Sequence, residues 1–138
     1  MAMTVTKVDV WAGSLKDQPG SLAEKLASLA AAGANLAFVV ARRDKPGKGV
    51  AFITPIRGAK QIAAAKKAKF RKTKSLHGLK VESTDKVGLG AKITQALAEA
   101  DINLRGLSAA AIGRRAVAYI ALDKAADLAK ASRILRKL

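Results

Sequence analysis

The chain reads DQPGSLAEKLASLAAAGANL over residues 17–36 and DKVGLGAKITQALAEADINL over residues 85–104, a constant offset of 68 positions. The positions that are identical in the two stretches include Asp17, Gly20, Ala23, Leu29, Ala32, Asn35 and Leu36, which match Asp85, Gly88, Ala91, Leu97, Ala100, Asn103 and Leu104. A repeat of this length indicates that one supersecondary unit occurs twice. We therefore expect a first unit over residues 1–74 and a second over residues 75–138.

Hydrophobic periodicity predicts the same order of elements in both copies. In the first copy, a strand, a helix, two hairpin strands and a second helix are predicted at 5–12, 22–33, 36–41, 50–54 and 59–70. In the second copy, they are predicted at 79–83, 89–100, 104–111, 116–122 and 125–138. Each unit is therefore strand-helix-strand-strand-helix.

This order of elements predicts the fold class. A strand, a crossover helix and a returning strand are parallel and right-handed, and the hairpin strand fits between them in antiparallel orientation. We expect α+β units that are ferredoxin-like, each with an antiparallel sheet packed on two helices. The segment between Phe70 and Asp85 has room for about one strand, which the second copy already uses. The sequence thus predicts three-stranded sheets whose open edges pair with each other or with another chain.

The net charge of +16 is large for 138 residues, and most of it lies in one segment. Residues 45–81 contain eleven cations and no acid, whereas the other 101 residues have a net charge of only +5. This local excess favours an anionic partner, which includes an acidic protein, a nucleotide or RNA. A plainer alternative is that the lysines of helix 59–70 only keep that helix solvated.

The loop before the first helix and the exit from that helix carry a resemblance to a known family. Asp17-Gln18-Pro19-Gly20-Ser21-Leu22 and the later Gly33-Ala34-Asn35-Leu36 resemble the D-x-P-G-x-L loop and the helix exit of ACT domains. Asp85-Lys86-Val87-Gly88-Leu89-Gly90 is a weakened second version, since Val87 replaces the proline and Gly90 the leucine. Asp101 likewise replaces Gly33. The resemblance covers nearly the whole chain as two tandem copies.

The loop chemistry suits a small charged ligand. Gly20 and Ser21 begin a helix, where free N–H groups and the helix dipole favour a carboxylate or phosphate. Asp17 is placed to meet an ammonium group, so the loop complements a free amino acid. The resemblance implies an amino-acid-sensing regulatory module whose ligands lie where two domains meet. Asn35 and Asn103 would supply amides there.

Structural roles for the same residues are compatible with ligand binding. Asp17 and Asp85 are typical turn or capping residues, and Asn35 and Asn103 are typical of helix exits. Gly20 and Gly88 suit a backbone conformation that other residues avoid. The second loop is the weaker candidate because it departs from the pattern at Val87 and Gly90.

Composition argues against several other classes of protein. Cysteine is absent and His77 is the only histidine, so disulfides and thiolate metal sites are excluded and no metal or cofactor is expected. Because the acids are scattered and His77 has no partner by spacing, we expect no catalytic activity. The first residues lack an export signal, and no stretch approaches the roughly 20 apolar residues of a membrane span. We expect a cytoplasmic protein without membrane attachment.

RNA binding is the main alternative. Residues 48–55, KGVAFITP, resemble the signature octapeptide of the RNA-recognition motif, whose fold is also ferredoxin-like. Val50 and Pro55 replace aromatic positions of that motif, which leaves Phe52, with Trp11 on the neighbouring strand, as the stacking platform. These departures make RNA binding the second choice.

The sequence therefore predicts two ACT-like units, without an attached catalytic domain, in a homodimer formed by sheet or helix pairing. A small amino acid or related carboxylate is expected to bind at interfaces between units or subunits and to shift their packing.

Overall fold

The computed structural model of the protein describes residues 3–138 and consists of two compact units. The first, here called the continuous unit, is Asp9–Thr73; the second, here called the split unit, joins the residues up to Val8 with Lys74–Leu138. Each unit contains one four-stranded antiparallel sheet and two helices. The predicted α+β, ferredoxin-like fold class is therefore confirmed.

Twelve elements follow one another along the chain. In order, they are β1 (Thr4–Val8), β2 (Trp11–Lys16), α1 (Ser21–Ala31), β3 (Phe38–Lys45), β4 (Lys48–Thr54), α2 (Gly58–Lys67), β5 (Phe70–Lys72), β6 (His77–Thr84), α3 (Leu89–Glu99), β7 (Leu104–Ile112), β8 (Arg115–Leu122) and α4 (Ala126–Arg136). None of the helices in residues 3–138 is both long enough and apolar enough to cross a membrane.

The sheet of the continuous unit has the strand order β3-β4-β2-β5, and every neighbouring pair is antiparallel. β4 lies between β2 and β3, as the crossover argument predicts. β5 adds a fourth strand beside β2, with Phe70 opposite Gly13. A Cβ atom on Gly13 would lie only 2.7 Å from Cδ1 of Phe70, so the glycine makes room for the ring.

The sheet of the split unit has the strand order β1-β6-β8-β7 and is also antiparallel throughout. β1 pairs with β6 from Thr4 opposite Glu82 to Val8 opposite Gly78. It therefore holds the place beside β6 that β5 holds beside β2. The fourth strand of this sheet comes from the N-terminal part of the chain.

This topology corrects three expectations from the sequence. The sheets have four strands rather than three, because the segment after α2 holds β5 as well as β6, and β1 joins the sheet of the split unit. The predicted strand 5–12 is two strands, β1 and β2, that belong to different sheets. Thr4–Val8 consequently belongs to the split unit and not to the predicted first unit, 1–74. Hydrophobic alternation continues from Val8 to Val10 across the break, so periodicity alone does not reveal the change of sheet.

The end of the second helix also differs from the prediction. α2 ends at Lys67, and Lys69 has a left-handed backbone conformation, with a φ of 69°, that turns the chain into β5. Phe70 is buried, at 2% exposure, and it lies on a strand and not on the predicted helix 59–70. Within α2 the buried alanine is Ala65, while Ala63 is exposed.

Each unit has its own hydrophobic core between the sheet and the two helices. The core of the continuous unit contains the buried residues Trp11, Leu29, Ala51, Ile53, Ala65 and Phe70. The core of the split unit contains Met3, Val5, Leu79, Val81, Ile93, Leu97, Ile102, Ala118, Ile120, Leu122, Ala131 and Leu135. The helices therefore cover one face of each sheet.

Candidate functional site

A cleft of about 580 Å³ lies beside the β2–α1 loop of the continuous unit. Its lining residues are Ser14, Leu15, Lys16, Gln18, Ser21, Glu24, Lys25, Gly47, Lys48 and Lys69. These residues come from the end of β2, the loop, the first half of α1, the β3–β4 turn and the α2–β5 turn. The volume falls within the range of roughly 300–1,000 Å³ that is typical of small-molecule pockets.

Backbone contacts hold the loop 17–22 beside this cleft. The Asp17 N–H donates a hydrogen bond of 3.2 Å to the Gly47 carbonyl, which ties the loop to the β3–β4 turn. Gly20 has a φ of 88° at the N-cap of α1, and its carbonyl accepts a 3.0 Å hydrogen bond from the Glu24 N–H. A Cβ atom on Gly20 would meet nothing within 4 Å, so the requirement for glycine is conformational.

The residues predicted from the first loop have different positions relative to the cleft. Gln18 and Ser21 line it, whereas Leu22 packs against the hydrophobic core. Nε of Arg43 lies 2.6 Å from Oδ2 of Asp17, so the carboxylate that was expected to meet an ammonium group already has a cationic partner. Glu24 is the acidic residue among those that line the cleft.

Four lysines line the cleft and were not predicted as site residues: Lys16, Lys25, Lys48 and Lys69. The ammonium group of Lys25 donates a hydrogen bond to the Ala68 carbonyl and lies 5.7 Å from the centroid of the Phe70 ring. The charge excess of residues 45–81 was the available signal for Lys48 and Lys69. Only the fold brings them beside the loop 17–22.

Asn35 lies away from this cleft within the continuous unit. It follows the C-terminal end of α1, and a helix of 11 residues spans about 16 Å, so Asn35 and Gly20 are at opposite ends. The carbonyl of Gly33 accepts a 3.0 Å hydrogen bond from Nε2 of Gln61 at this end. In the split unit, Nδ2 of Asn103 donates a 3.1 Å hydrogen bond to Oδ2 of Asp123. The structure therefore shows a local contact for Asn103 and does not bring Asn35 to the loop.

The second loop keeps the backbone of the first but borders a smaller pocket. The Asp85 N–H donates a 2.8 Å hydrogen bond to the Arg114 carbonyl, and Gly88 has a φ of 82°. The adjoining pocket has a volume of about 170 Å³ and is lined by Met3, Ser83, Thr84, Lys86, Val87, Gly88, Leu89, Lys92 and Leu138. Of the predicted ligand residues, Lys86, Val87 and Gly88 line this pocket and Asp85 does not.

The stacking platform proposed for RNA is not formed. Trp11 lies opposite Ile53, is 6% exposed and belongs to the core beneath the helices. Phe52 lies opposite Ala12, one residue along the strand, and so faces the other side of the sheet. The prediction that Trp11 and Phe52 form one surface is therefore wrong, because side chains alternate along a strand.

No group of three His, Asp or Glu side chains in residues 3–138 is arranged to hold a metal ion.

Comparisons with known proteins concern the fold. No protein-family profile matches the chain, and no curated protein matches its sequence. The chain is similar to the solved structure of BT0572 from Bacteroides thetaiotaomicron, with a TM-score of 0.80, 16% identity and coverage of 96% of this chain and 89% of that one.

Two similar structures belong to aspartate kinases. The structure of aspartokinase alpha and beta subunits has a TM-score of 0.68 and 19% identity, with 99% of this chain and 96% of that chain covered. The ligand-free regulatory subunit of aspartate kinase from Thermus thermophilus has a TM-score of 0.69 and 15% identity, with the same coverage. The chain thus has the fold of these subunits, and the resemblance to tandem ACT-like units is confirmed at the level of fold.

Proposed function

We propose that the protein is a non-catalytic regulatory or sensory module that binds a small ligand in the cleft of the continuous unit. The observation that carries the proposal is the cleft itself, because it adjoins the loop 17–22 and the first half of α1. The N-terminus of a helix stabilises an anionic group through its free N–H groups and its dipole. Structures with the same fold are named as regulatory subunits, which supports a regulatory role.

A free amino acid or a related carboxylate is the first ligand class that this proposal includes. Its carboxylate would lie near Ser21 and the lysines, and Glu24 is the lining residue that could receive its ammonium group. The Asp17 side chain is 32% exposed and paired with Arg43, so it would have to exchange that partner for the ligand. Binding at the cleft would regulate by favouring one of two packing arrangements of the protein.

We extend the proposal to a homodimer formed through β7. β3 and β7 each pair with one strand within the described sheets, which leaves each with an open edge. β3 carries Arg42, Arg43, Asp44 and Lys45, and charges of this kind protect an edge from pairing. β7 has nine residues with one charge, and its Leu107 and Ile112 are 43% and 74% exposed. Light scattering should show a dimer that Ile112→Lys converts to a monomer.

Thermal shift and calorimetry across the twenty amino acids and common nucleotides test ligand binding. We expect at least one compound to raise the melting temperature and to bind with a stoichiometry of one per chain. Gly20→Val should abolish this binding, because a β-branched residue resists a φ of 88° and would displace the start of α1.

Gly88→Val is the matched control, since Gly88 has the equivalent φ of 82° in the split unit and a Cβ atom there also meets nothing within 4 Å. It should impose a similar strain but leave the ligand affinity unchanged. If no small molecule raises the melting temperature of the unmodified protein, the proposed function is wrong.

A further inference from the structure

The cleft of the continuous unit is strongly basic. Its lining contains four lysines and one acid, Glu24, and the lysines lie on four different parts of the fold: β2, α1, β4 and the α2–β5 turn. We propose that its ligand is a small phosphorylated polyanion rather than a zwitterionic amino acid. This inference rests on the proposed function, because it assigns the ligand class of the same cleft.

Lys16 and Lys48 are the first reason for this assignment. They lie directly opposite each other on β2 and β4, and Lys48 is also opposite Lys45 on β3. Like charges at directly opposed positions destabilise a sheet, since their Cβ atoms are only about 4.5–5.5 Å apart. An anion between the ammonium groups removes this repulsion, so the arrangement favours a multiply charged ligand.

Lys69 is the second reason. It is one of two non-glycine residues with positive φ among residues 3–138, and its φ of 69° places it in the left-handed region. This conformation costs a long side chain about 1–2 kcal/mol, and glycine or asparagine would adopt it with less strain. A lysine here lines the cleft at the turn into β5. The strain is consistent with a functional need for a cation at this position.

The strand edge that borders the cleft is the third reason. β5 pairs with β2 only at residues 11–13, so residues 14–16 continue along this edge without a β5 partner. Backbone N–H groups along an open edge can donate to phosphate oxygens. In the split unit, β1 pairs with β6 as far as Glu82, one position further than the equivalent of Gly13, and the buried Met3 lines the smaller pocket there. The larger of the two openings therefore lies in the continuous unit.

Lys25 has a supporting role in this cleft. Its ammonium group donates a hydrogen bond to the Ala68 carbonyl and lies over the Phe70 ring, so Lys25 links α1 to the end of α2. The remaining three lysines exceed the charge of one ligand carboxylate. The carboxylate of a zwitterionic amino acid would offset one of these lysines and leave the other two facing solvent, whereas a diphosphate with several negative charges would offset all three.

Calorimetry with inorganic pyrophosphate tests the inference at two salt concentrations. We expect the unmodified protein to bind one pyrophosphate per chain. The double variant Lys16→Gln/Lys48→Gln should bind at least about tenfold more weakly, because each lost charged hydrogen bond is large enough for such a change. Lys86→Gln/Lys92→Gln is the matched control; it removes the same charge from the smaller pocket of the split unit.

Lys69→Asn separates ligand binding from structure. Asparagine tolerates the left-handed conformation, so we expect the melting temperature to stay the same or rise while the pyrophosphate affinity falls at least about tenfold. A residue with only a structural role would lower the melting temperature and leave the affinity unchanged.

Three results would overturn the inference. If both double variants weaken binding equally, pyrophosphate is attracted by the general charge of the protein and not by the cleft. If an amino acid or citrate saturates the cleft and pyrophosphate does not, the ligand is a carboxylate; the proposed function then stands and the phosphorylated class is rejected. If none of these probes binds, and none of the twenty amino acids and common nucleotides does, the proposed function fails as well.

Discussion

Gly33 and Asp101 occupy the same position after α1 and α3, and both have left-handed backbone conformations, with φ values of 86° and 58°. The following N–H groups close the helices in the same way: Ala34 donates to the Leu29 carbonyl at 3.0 Å, and Ile102 donates to the Leu97 carbonyl at 2.9 Å. The replacement of glycine by aspartate in the second copy therefore preserved the helix ending.

Asp101→Gly is expected to stabilise the split unit. Glycine adopts positive φ without strain, but it also raises the entropy of the unfolded chain. The net gain in the free energy of unfolding is therefore up to about 1 kcal/mol. Urea denaturation followed by circular dichroism measures the change. Gly33→Ala is the reciprocal variant and should destabilise the continuous unit by about 1 kcal/mol. A loss of stability in Asp101→Gly would show that the aspartate side chain makes a stabilising contact of its own.

Gly13→Ala is expected to destabilise the continuous unit. A Cβ atom at Gly13 would lie 2.7 Å from Cδ1 and 2.9 Å from Cε1 of Phe70, whose ring is buried. Overpacking of this kind costs about 1–3 kcal/mol, and thermal unfolding measures it. The shifted ring would also move β5 and Lys69, so ligand affinity should fall.

Gly90→Ala is the control for Gly13→Ala, because it makes the same substitution at a position with free space. Gly90 lies in the first turn of α3, its added Cβ atom meets nothing within 4 Å, and its φ is not in the positive range. Because alanine favours the helix, we expect a gain of about 0.5–1 kcal/mol. Equal effects of Gly13→Ala and Gly90→Ala would contradict the close packing against Phe70.

Val5→Ala tests the contribution of β1 to the split unit. Val5 is 4% exposed and lies opposite Val81, and the loss of two buried methylene equivalents costs about 2 kcal/mol. Hydrogen exchange should become faster for the amides of β6, while the amides of β2 keep their protection. Thr6→Ala, at an exposed position opposite Lys80, should change neither. Faster exchange in β2 instead would place β1 in the predicted first unit.

Lys25→Met tests the link between α1 and the end of α2. The variant keeps the apolar stem but removes the hydrogen bond to Ala68 and the interaction with the Phe70 ring. We expect a loss of about 1–3 kcal/mol in the free energy of unfolding. Lys92→Met, at an exposed position on α3, should change stability by less than about 0.5 kcal/mol. A neutral Lys25→Met would mean that this contact does not stabilise the fold.

Local sequence patterns predicted the elements but not all of their partners. The hairpins of β3 with β4 and of β7 with β8 were expected because apolar strands flank turn residues such as Gly47 and Gly113, both of which have positive φ. β1 was placed in the wrong sheet because the residues of β6 that pair with it lie 70 to 78 positions later. β5 was missed because three residues are too few for a periodic signal.

The residues of the candidate site likewise include some that the sequence predicted and some that it did not. Gln18 and Ser21 were predicted from the loop motif and line the cleft, since a loop before a helix brings its own residues to the helix N-terminus. Lys16, Lys48 and Lys69 were missed because strand register and the turn after α2 bring them together. No spacing rule connects lysines on separate elements.

The sequence by itself determined that one strand-helix-strand-strand-helix unit occurs twice, because repeated glycines and periodic apolar residues act over a few neighbours along the chain. Only the tertiary structure decided which strand closes each sheet and which charges line the cleft. Those outcomes depend on pairing between distant segments: β1 pairs with β6 as far as Glu82, one position beyond the equivalent of Gly13, where the pairing of β5 with β2 ends. The two copies share the same local sequence pattern, but long-range strand pairing gives their sheets different closing strands.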